Sequence, residues 1–297
     1  MRSRRILKDR LFGRLASLLA ISASLIVFLM IFALYRRSGV ILAQKSFTEL
    51  LFSSSWHPLK GQFGFWPFIM GTVWVTAVAV GLAVPLSLLT AIYLSEYAPR
   101  YVRNWTAPLI DVLAGIPSVV YGVCGVLVVV PLVRDHIAPF CGVFSTGYSV
   151  LAGGIVLAAM VCPIIIHVSL EVFKSVPRQV REVSLALGAT QWQTIKHVVM
   201  RKALPGVIAA IVLGLSRAFG ETMAVLMVAG NVAKPPSSLL DPAYPLPALI
   251  ANNYGEMLSI PLYDSALLLA SLVLLMMVLV FNVLARACLI RAERAVR

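Results

Sequence analysis

From Tyr148 to Leu170 the chain reads YSVLAGGIVLAAMVCPIIIHVSL, without a single lysine, arginine, aspartate or glutamate. About 20 apolar residues at a rise of 1.5 Å cover the roughly 30 Å hydrocarbon layer of a bilayer, so this run is long enough to cross a membrane. Five further runs pass the same test: Leu15 to Tyr35, Phe68 to Leu94, Leu109 to Val133, Ala203 to Gly230 and Leu262 to Leu289. They are apolar nearly all round and lack the strict alternation of a barrel strand, and in lipid each backbone group needs an internal partner, so they read as bundle helices. Composition agrees: 60% of the 297 residues are hydrophobic and 12% charged, with a mean hydropathy of +0.92. Ordinary soluble domains carry about 25% charged residues. The expected fold class is therefore all-α, a polytopic membrane protein of about six transmembrane helices. The first run follows a basic start, is too long for a signal peptide, and is closed by Arg36 and Arg37, so it is expected to be retained.

The formal charge of +13 raises the question of a nucleic-acid partner. The placement of the 25 lysines and arginines answers it. Eighteen lie at the N-terminus, around Arg100 and Arg103, between Glu171 and Lys202, and in the tail from Arg286. The alternate loops hold six, and the remaining one, Arg217, falls in the middle of the fifth run. This segregation is the positive-inside pattern, which puts both termini in the cytoplasm and leaves no call for nucleic acid. Aromatic residues flank the second run, Phe63, Phe65, Trp66 and Phe68 at one end and Tyr93, Tyr97, Tyr101 and Trp105 at the other, and read as interface anchors. Cys124, Cys141, Cys162 and Cys288 have no metal-ligand spacing, so neither a metal site nor a structural disulfide is expected.

The loop between the fourth and fifth runs has structure of its own. Pro177 suits a first helical turn, and Val180, Val183, Ser184 and Leu187 recur at the helical period to form one mostly apolar stripe. Gly188 supplies a left-handed stop, and Thr190 with Gln193 three residues on forms a capping box for a second helix. A short helix, a glycine corner and another helix can lie in the headgroup layer, or can seat in a groove of another subunit and act as a lever on the spans.

Here the residues become recognisable. Arg181-Glu182-Val183-Ser184-Leu185-Ala186-Leu187-Gly188-Ala189 resembles the Glu-Ala-Ala loop of ABC-importer permeases, with its Glu and Gly six residues apart. Val183-Ser184 stands in place of the two alanines, and Met200-Arg201 where the motif's closing Leu-Pro would fall. The resemblance implies that Glu182, Ala186, Gly188 and Ala189 couple the chain to an ATPase. A wider likeness covers most of the chain. The blocks from Phe63 to Thr72, Ala91 to Ala98, Leu113 to Gly122, Ser216 to Val225 and Ala248 to Glu256 are similar to the PstC-like permease subunit of bacterial phosphate importers. That family implies a MetI-like ABC importer permease fold in the inner membrane. It also implies as partners a PstA-like second permease, two ATP-binding cassette subunits and a periplasmic phosphate-binding protein, with phosphate as the solute. On this reading residues 1–62 hold the N-terminal segment, first span and outer loop, 63–290 the permease domain with coupling helices near 177–200, and 291–297 a cytoplasmic tail.

No Walker A sequence occurs, so this chain itself is expected to bind no cofactor and to be no enzyme, with ATP and Mg held by the partner ATPase subunits. Arg217 and Glu221, four residues apart in the fifth run, are expected on one helical face, where each charge costs about 2.5–3.5 kcal/mol. They are either a mutually neutralising structural pair or a substrate pathway in which the arginine fork meets phosphate oxygens and the carboxylate takes a proton from hydrogenphosphate. Asp111 and His167 read as solvated interfacial groups. Two alternatives stay open, a permease for molybdate, sulfate or phosphonate, and a secondary anion transporter. The charge pattern makes one checkable statement: single cysteines introduced between 175 and 206 should react with impermeant thiol reagents only from the cytoplasmic side, and labelling from outside would overturn the topology.

Overall fold

The computed structural model describes residues 2–256, 260 and 262–296, with side chains from Phe12 to Arg291 among them. The basic side chains from Arg2 to Arg10, the tail residues Arg294 and Arg297, and Pro261 at the end of the last loop lie outside that description. Six helices are long and apolar enough to span: Phe12–Leu42, Trp66–Tyr97, Ser118–Phe140, Val150–Ser175, Gln191–Gly220 and Tyr263–Arg291. The fourth is the axis of the bundle. Its core face, from Val150 through Leu157, Met160 and Ile165 to Phe173, is buried against the second and fifth spans. Small residues allow this. A Cβ placed on Gly154 would come within 2.3 Å of the Val78 side chain, so only glycine lets the second and fourth spans approach so closely.

Three expectations about the spans need correction. The third apolar run does not form one helix from Leu109. Pro117 disfavours helical backbone at Ile116, which is extended (φ −66°, ψ 130°), so the chain breaks into a separate helix Arg100–Gly115 and a span starting at Ser118. That span runs on past Val133 because Arg134 and Asp135 neutralise each other in a two-pronged pair at 2.7 and 2.9 Å. Likewise Arg36 and Arg37 do not end the first helix, which continues to Leu42 with the Arg36 guanidinium over the Phe32 ring.

The fifth span also differs. Its helix begins at Gln191, so the second arm of the predicted loop pair is the start of the span itself, passing through a wider turn at Ile195–Val199 into Met200–Gly220. It stops at Gly220. Glu221 is extended (φ −74°, ψ 127°), and a short helix, Met223–Val228, completes the crossing against the third span. Gly122 makes that contact, since a Cβ there would lie 3.2 Å from the Ala224 backbone and 2.7 Å from the Met227 sulfur.

At the end of the bundle opposite the glycine corner, the aromatic group at the second span's start is a core, not a set of interface anchors. Phe63, Phe65 and Phe68 are buried, and Trp56, Tyr244 and Tyr263 close around them with ring centroids 4.9–6.2 Å apart. Edge-to-face and tilted rings bury apolar area against one another and gain a favourable quadrupole contact besides. Tyr93, Tyr97, Tyr101 and Trp105 at the other end stay exposed, as anchors should. The loop after the fifth span folds back over the bundle here: Val150 donates to the Asp241 carbonyl (2.9 Å) and the Ser145 hydroxyl to that of Leu240 (3.0 Å). The Asp241 carboxylate, bonded by the Ser237 hydroxyl and the Ser237 and Ser238 amides, is held below the ordinary carboxylate range against partial burial. Its contribution to the loop is therefore whole at neutral pH and is lost as the pH falls through its folded pKa.

Thr72 ties the two halves of this cap. Its hydroxyl donates to the Phe68 carbonyl (2.7 Å) and accepts from the Leu246 amide (2.9 Å), a free donor at the start of Leu246–Asn253. Thr72→Val keeps the shape but strands that buried amide, at a cost of about 1–3 kcal/mol. The purified protein should melt at a lower temperature, while Thr72→Ser, which keeps the hydroxyl, should lose less.

Candidate functional site

Two groups of residues stand out from the packing, a charged flank at membrane depth and the corner at one end. The flank is built by four helices. Arg217 sits in the last turn of Met200–Gly220 and is exposed. The Tyr121 hydroxyl on the third span donates to the Leu113 carbonyl at 2.8 Å. Two residues earlier, Asp111 Oδ1 lies 3.2 Å from His167 Nδ1 of the fourth span, both side chains more than half exposed. His167 is eight residues before the helix end at Ser175, about 12 Å inside the helix. Arg217, Tyr121, Asp111 and His167 thus come from four different helices.

The expected Arg217 and Glu221 pair is not formed. Among the described residues neither takes part in an ion pair. The helix ends between them, so their four-residue spacing no longer puts them on one face. Glu221 instead accepts from the Ala224 amide (3.2 Å), closing the first turn of the short helix beyond the break. A mutually neutralising pair therefore does not account for Arg217. Its neighbour Ser216 is the structural member of this turn, donating to Asn282 Oδ1 of the sixth span (2.7 Å), with Phe219 stacked near Phe281. Arg217 is left free to meet something outside this chain. A guanidinium turned toward lipid at this depth would cost about 2.5–3.5 kcal/mol.

Sequence reasoning passed over Asp111 and His167 as separate solvated groups. Nothing in the sequence joins two residues on different helices, and only the break at Pro117 turns Asp111 toward the fourth span.

The corner is formed as expected. Helix Arg178–Ala186 ends at Leu187, Gly188 is left-handed (φ +84°), and the Ala189 amide reaches back to the Ser184 carbonyl (3.2 Å) as in a glycine-terminated helix. Thr190 and Gln193 make the predicted capping box in both directions. Glu182, Ala186 and Gly188 are exposed and Ala189 is half-buried. The predicted apolar stripe splits: Val180 and Ser184 turn toward the bundle, with Ser184 bonded to Thr194 (2.9 Å), while Val183 and Leu187 point away. With Leu185 and Trp192 they leave an apolar surface around Glu182, which is the make-up of a docking face.

A bundle of six span-length apolar helices, with an arginine at membrane depth that forms no ion pair among the described residues, has the architecture of a polytopic membrane transport protein. The comparisons agree. Residues 83–296 match the family described as "Binding-protein-dependent transport system inner membrane component". The phosphate transport system permease protein PstC of Xylella fastidiosa is 39% identical over 83% of this chain and 80% of that one. The probable PstC of Methanocaldococcus jannaschii is 32% identical over 91% and 90%. A solved bacterial ABC transporter that imports the acidic polysaccharide alginate superposes with a TM-score of 0.60 at 16% identity, over 97% of this chain and 99% of that one, which establishes the fold. The chain belongs to the binding-protein-dependent inner membrane component family, and within it to the PstC group.

A Cβ on Gly188 would meet nothing within 4 Å, so the cost of replacing it is purely conformational, about 1–2 kcal/mol for an ordinary side chain in that region. Gly188→Val should open residues 178–200 to proteolysis, whereas Gly188→Asn, which tolerates left-handed backbone, should stay resistant.

Proposed function

We propose that this chain is the translocating permease subunit of an ATP-driven importer of inorganic phosphate. It lies in the inner membrane with both termini cytoplasmic. It works beside a PstA-like second permease, two ATP-binding cassette subunits that bind ATP and Mg and carry out the hydrolysis, and a periplasmic phosphate-binding protein. The names of the relatives at 32–39% identity support the solute and the kind of partner. The observation that carries the reading is Arg217, a charge at membrane depth that is exposed and has no ion-pair partner among the described residues.

On this reading the second permease completes the path against the flank of Arg217, Tyr121, Asp111 and His167. The guanidinium presents a planar fork that fits two phosphate oxygens at once, and its charge replaces part of the water the anion sheds on entering. Glu221, at the helix break one turn on, accepts a hydrogen bond that the O–H of hydrogenphosphate can donate and fully ionised sulfate cannot. The break itself supplies a joint at which the short helix Met223–Val228 can tilt against the rest of the fifth span. The outward face around Glu182, Ala186, Gly188 and Ala189 receives the ATPase, so hydrolysis moves the cytoplasmic ends of the spans.

Arg217→Gln should abolish entry of labelled phosphate into cells while the four-subunit complex still purifies intact. Undiminished uptake by that variant would remove Arg217 from the path. Glu221→Gln should lower the maximal uptake rate and leave the half-saturating phosphate concentration nearly unchanged, because capture belongs to the binding protein.

A further inference from the structure

The corner helix Arg178–Ala186 is loosely attached by its backbone. One end joins the fourth span through the extended residues Val176 and Pro177, and the other ends at the left-handed Gly188. Joints of that kind let a short helix swivel, so a lever made only of them would waste the motion of whatever docks on it. A buried polar contact removes the slack. Arg181 places Nε 3.1 Å from Glu96 Oε2 and Nη2 2.8 Å from Glu96 Oε1, and the two side chains are only 17% and 9% exposed. The same guanidinium donates to the carbonyls of Phe173 (2.8 Å), in the last turn of the fourth span, and Val176, just beyond it.

Glu96 is the meeting point of four helices. It lies in the wide turn Tyr93–Tyr97 that ends the second span. Its carboxylate also accepts from the Ser95 hydroxyl (2.8 Å), and its carbonyl accepts from the Gln191 amide group (2.9 Å) at the start of the fifth span. Beside it, Arg103 of the helix Arg100–Gly115 donates to the carbonyls of Leu94 (3.1 Å) and Ser95 (3.1 Å). The wide turn matters, because such a turn frees carbonyls from the helical ladder and makes room for these donors. Arg181 and Glu182 are neighbours about 100° apart around one helix, so one points into this junction while the other points out to the docking face.

We infer that Arg181 and Glu96 form the strut that carries movement of the corner helix into the second span and the Arg100–Gly115 helix, and so to Asp111 on the charged flank. This rests on the reading that an ATPase docks on the Glu182 face. Arg181 is a positioning residue, since its hydrogen bonds go to Glu96 and to the Phe173 and Val176 carbonyls. The fork is needed because four acceptors on two spans are held at once, which a single ammonium group cannot do.

The test uses the assembled complex in liposomes with its binding protein, recording ATP hydrolysis and labelled phosphate import in parallel for Glu96→Gln, Arg181→Lys and Arg181→Gln. Each should purify with its ATPase subunits and hydrolyse ATP near the wild-type rate. Phosphate imported per ATP should fall about tenfold, as expected for a coupling energy between distant sites. Glu96→Gln is nearly isosteric and keeps the bond from Gln191 to its backbone, so it carries the test if either Arg181 variant fails to assemble. An unchanged ratio for Glu96→Gln, or import and hydrolysis falling in proportion, overturns the strut. Glu182→Ala separates the underlying reading: if it leaves ATPase binding and turnover untouched, it is the docking face that is wrong.

Discussion

Hydrocarbon offers no partner to a backbone amide, a carbonyl or a charge, and the architecture of this chain follows from how it supplies partners of its own. Six helices satisfy most of the backbone internally. Where a helix must stop inside the bundle, another group takes over: the Glu221 carboxylate covers an amide beyond the break in the fifth span, and Arg181 and Arg103 cover the last carbonyls of the fourth and second. The Arg134 and Asp135 pair lets the third helix run on through two charges. Against that background a group left without a partner is informative, and Arg217 is such a group.

The same constraint links the flank to the corner. Asp111 and Arg103 share one helix, Arg100–Gly115, eight residues apart. Asp111 reaches His167 on the fourth span, and Arg103 reaches the end of the second, where Arg181 is anchored. The Arg100–Gly115 helix therefore joins the junction around Glu96 to the Asp111 and His167 pair. The apolar interfaces beside it, such as Gly154 on Val78, fit too closely to slide and pass motion on as rigid bodies.

The docking motif departs from its family pattern at Val183-Ser184, and the structure shows what each residue does there. Ser184 faces inward and bonds Thr194 across the corner, taking the place of a small apolar contact with a hydrogen bond. Val183 points outward and enlarges the apolar docking face. The corner therefore keeps its shape while its surface differs from that of an alanine pair.

Much of this was legible in the sequence, because the signals were local. Length and uniform hydropathy identify six spans, since crossing lipid is a matter of rise per residue. Gly188 and the Thr190 capping box mark the corner because they act within one turn of themselves. The family blocks around Arg217 place the chain among phosphate permeases. Tertiary structure alone decided the rest. A hydropathy count does not register that Pro117 splits the third run or that Gly220 ends the fifth helix, so the supposed pair of Arg217 and Glu221 was an artefact of assuming unbroken helix. Nor does any spacing join Glu96 to Arg181 or Asp111 to His167. Those contacts exist because helices far apart in the chain are packed side by side, and charges held out of water bond whatever partner the packing brings within reach.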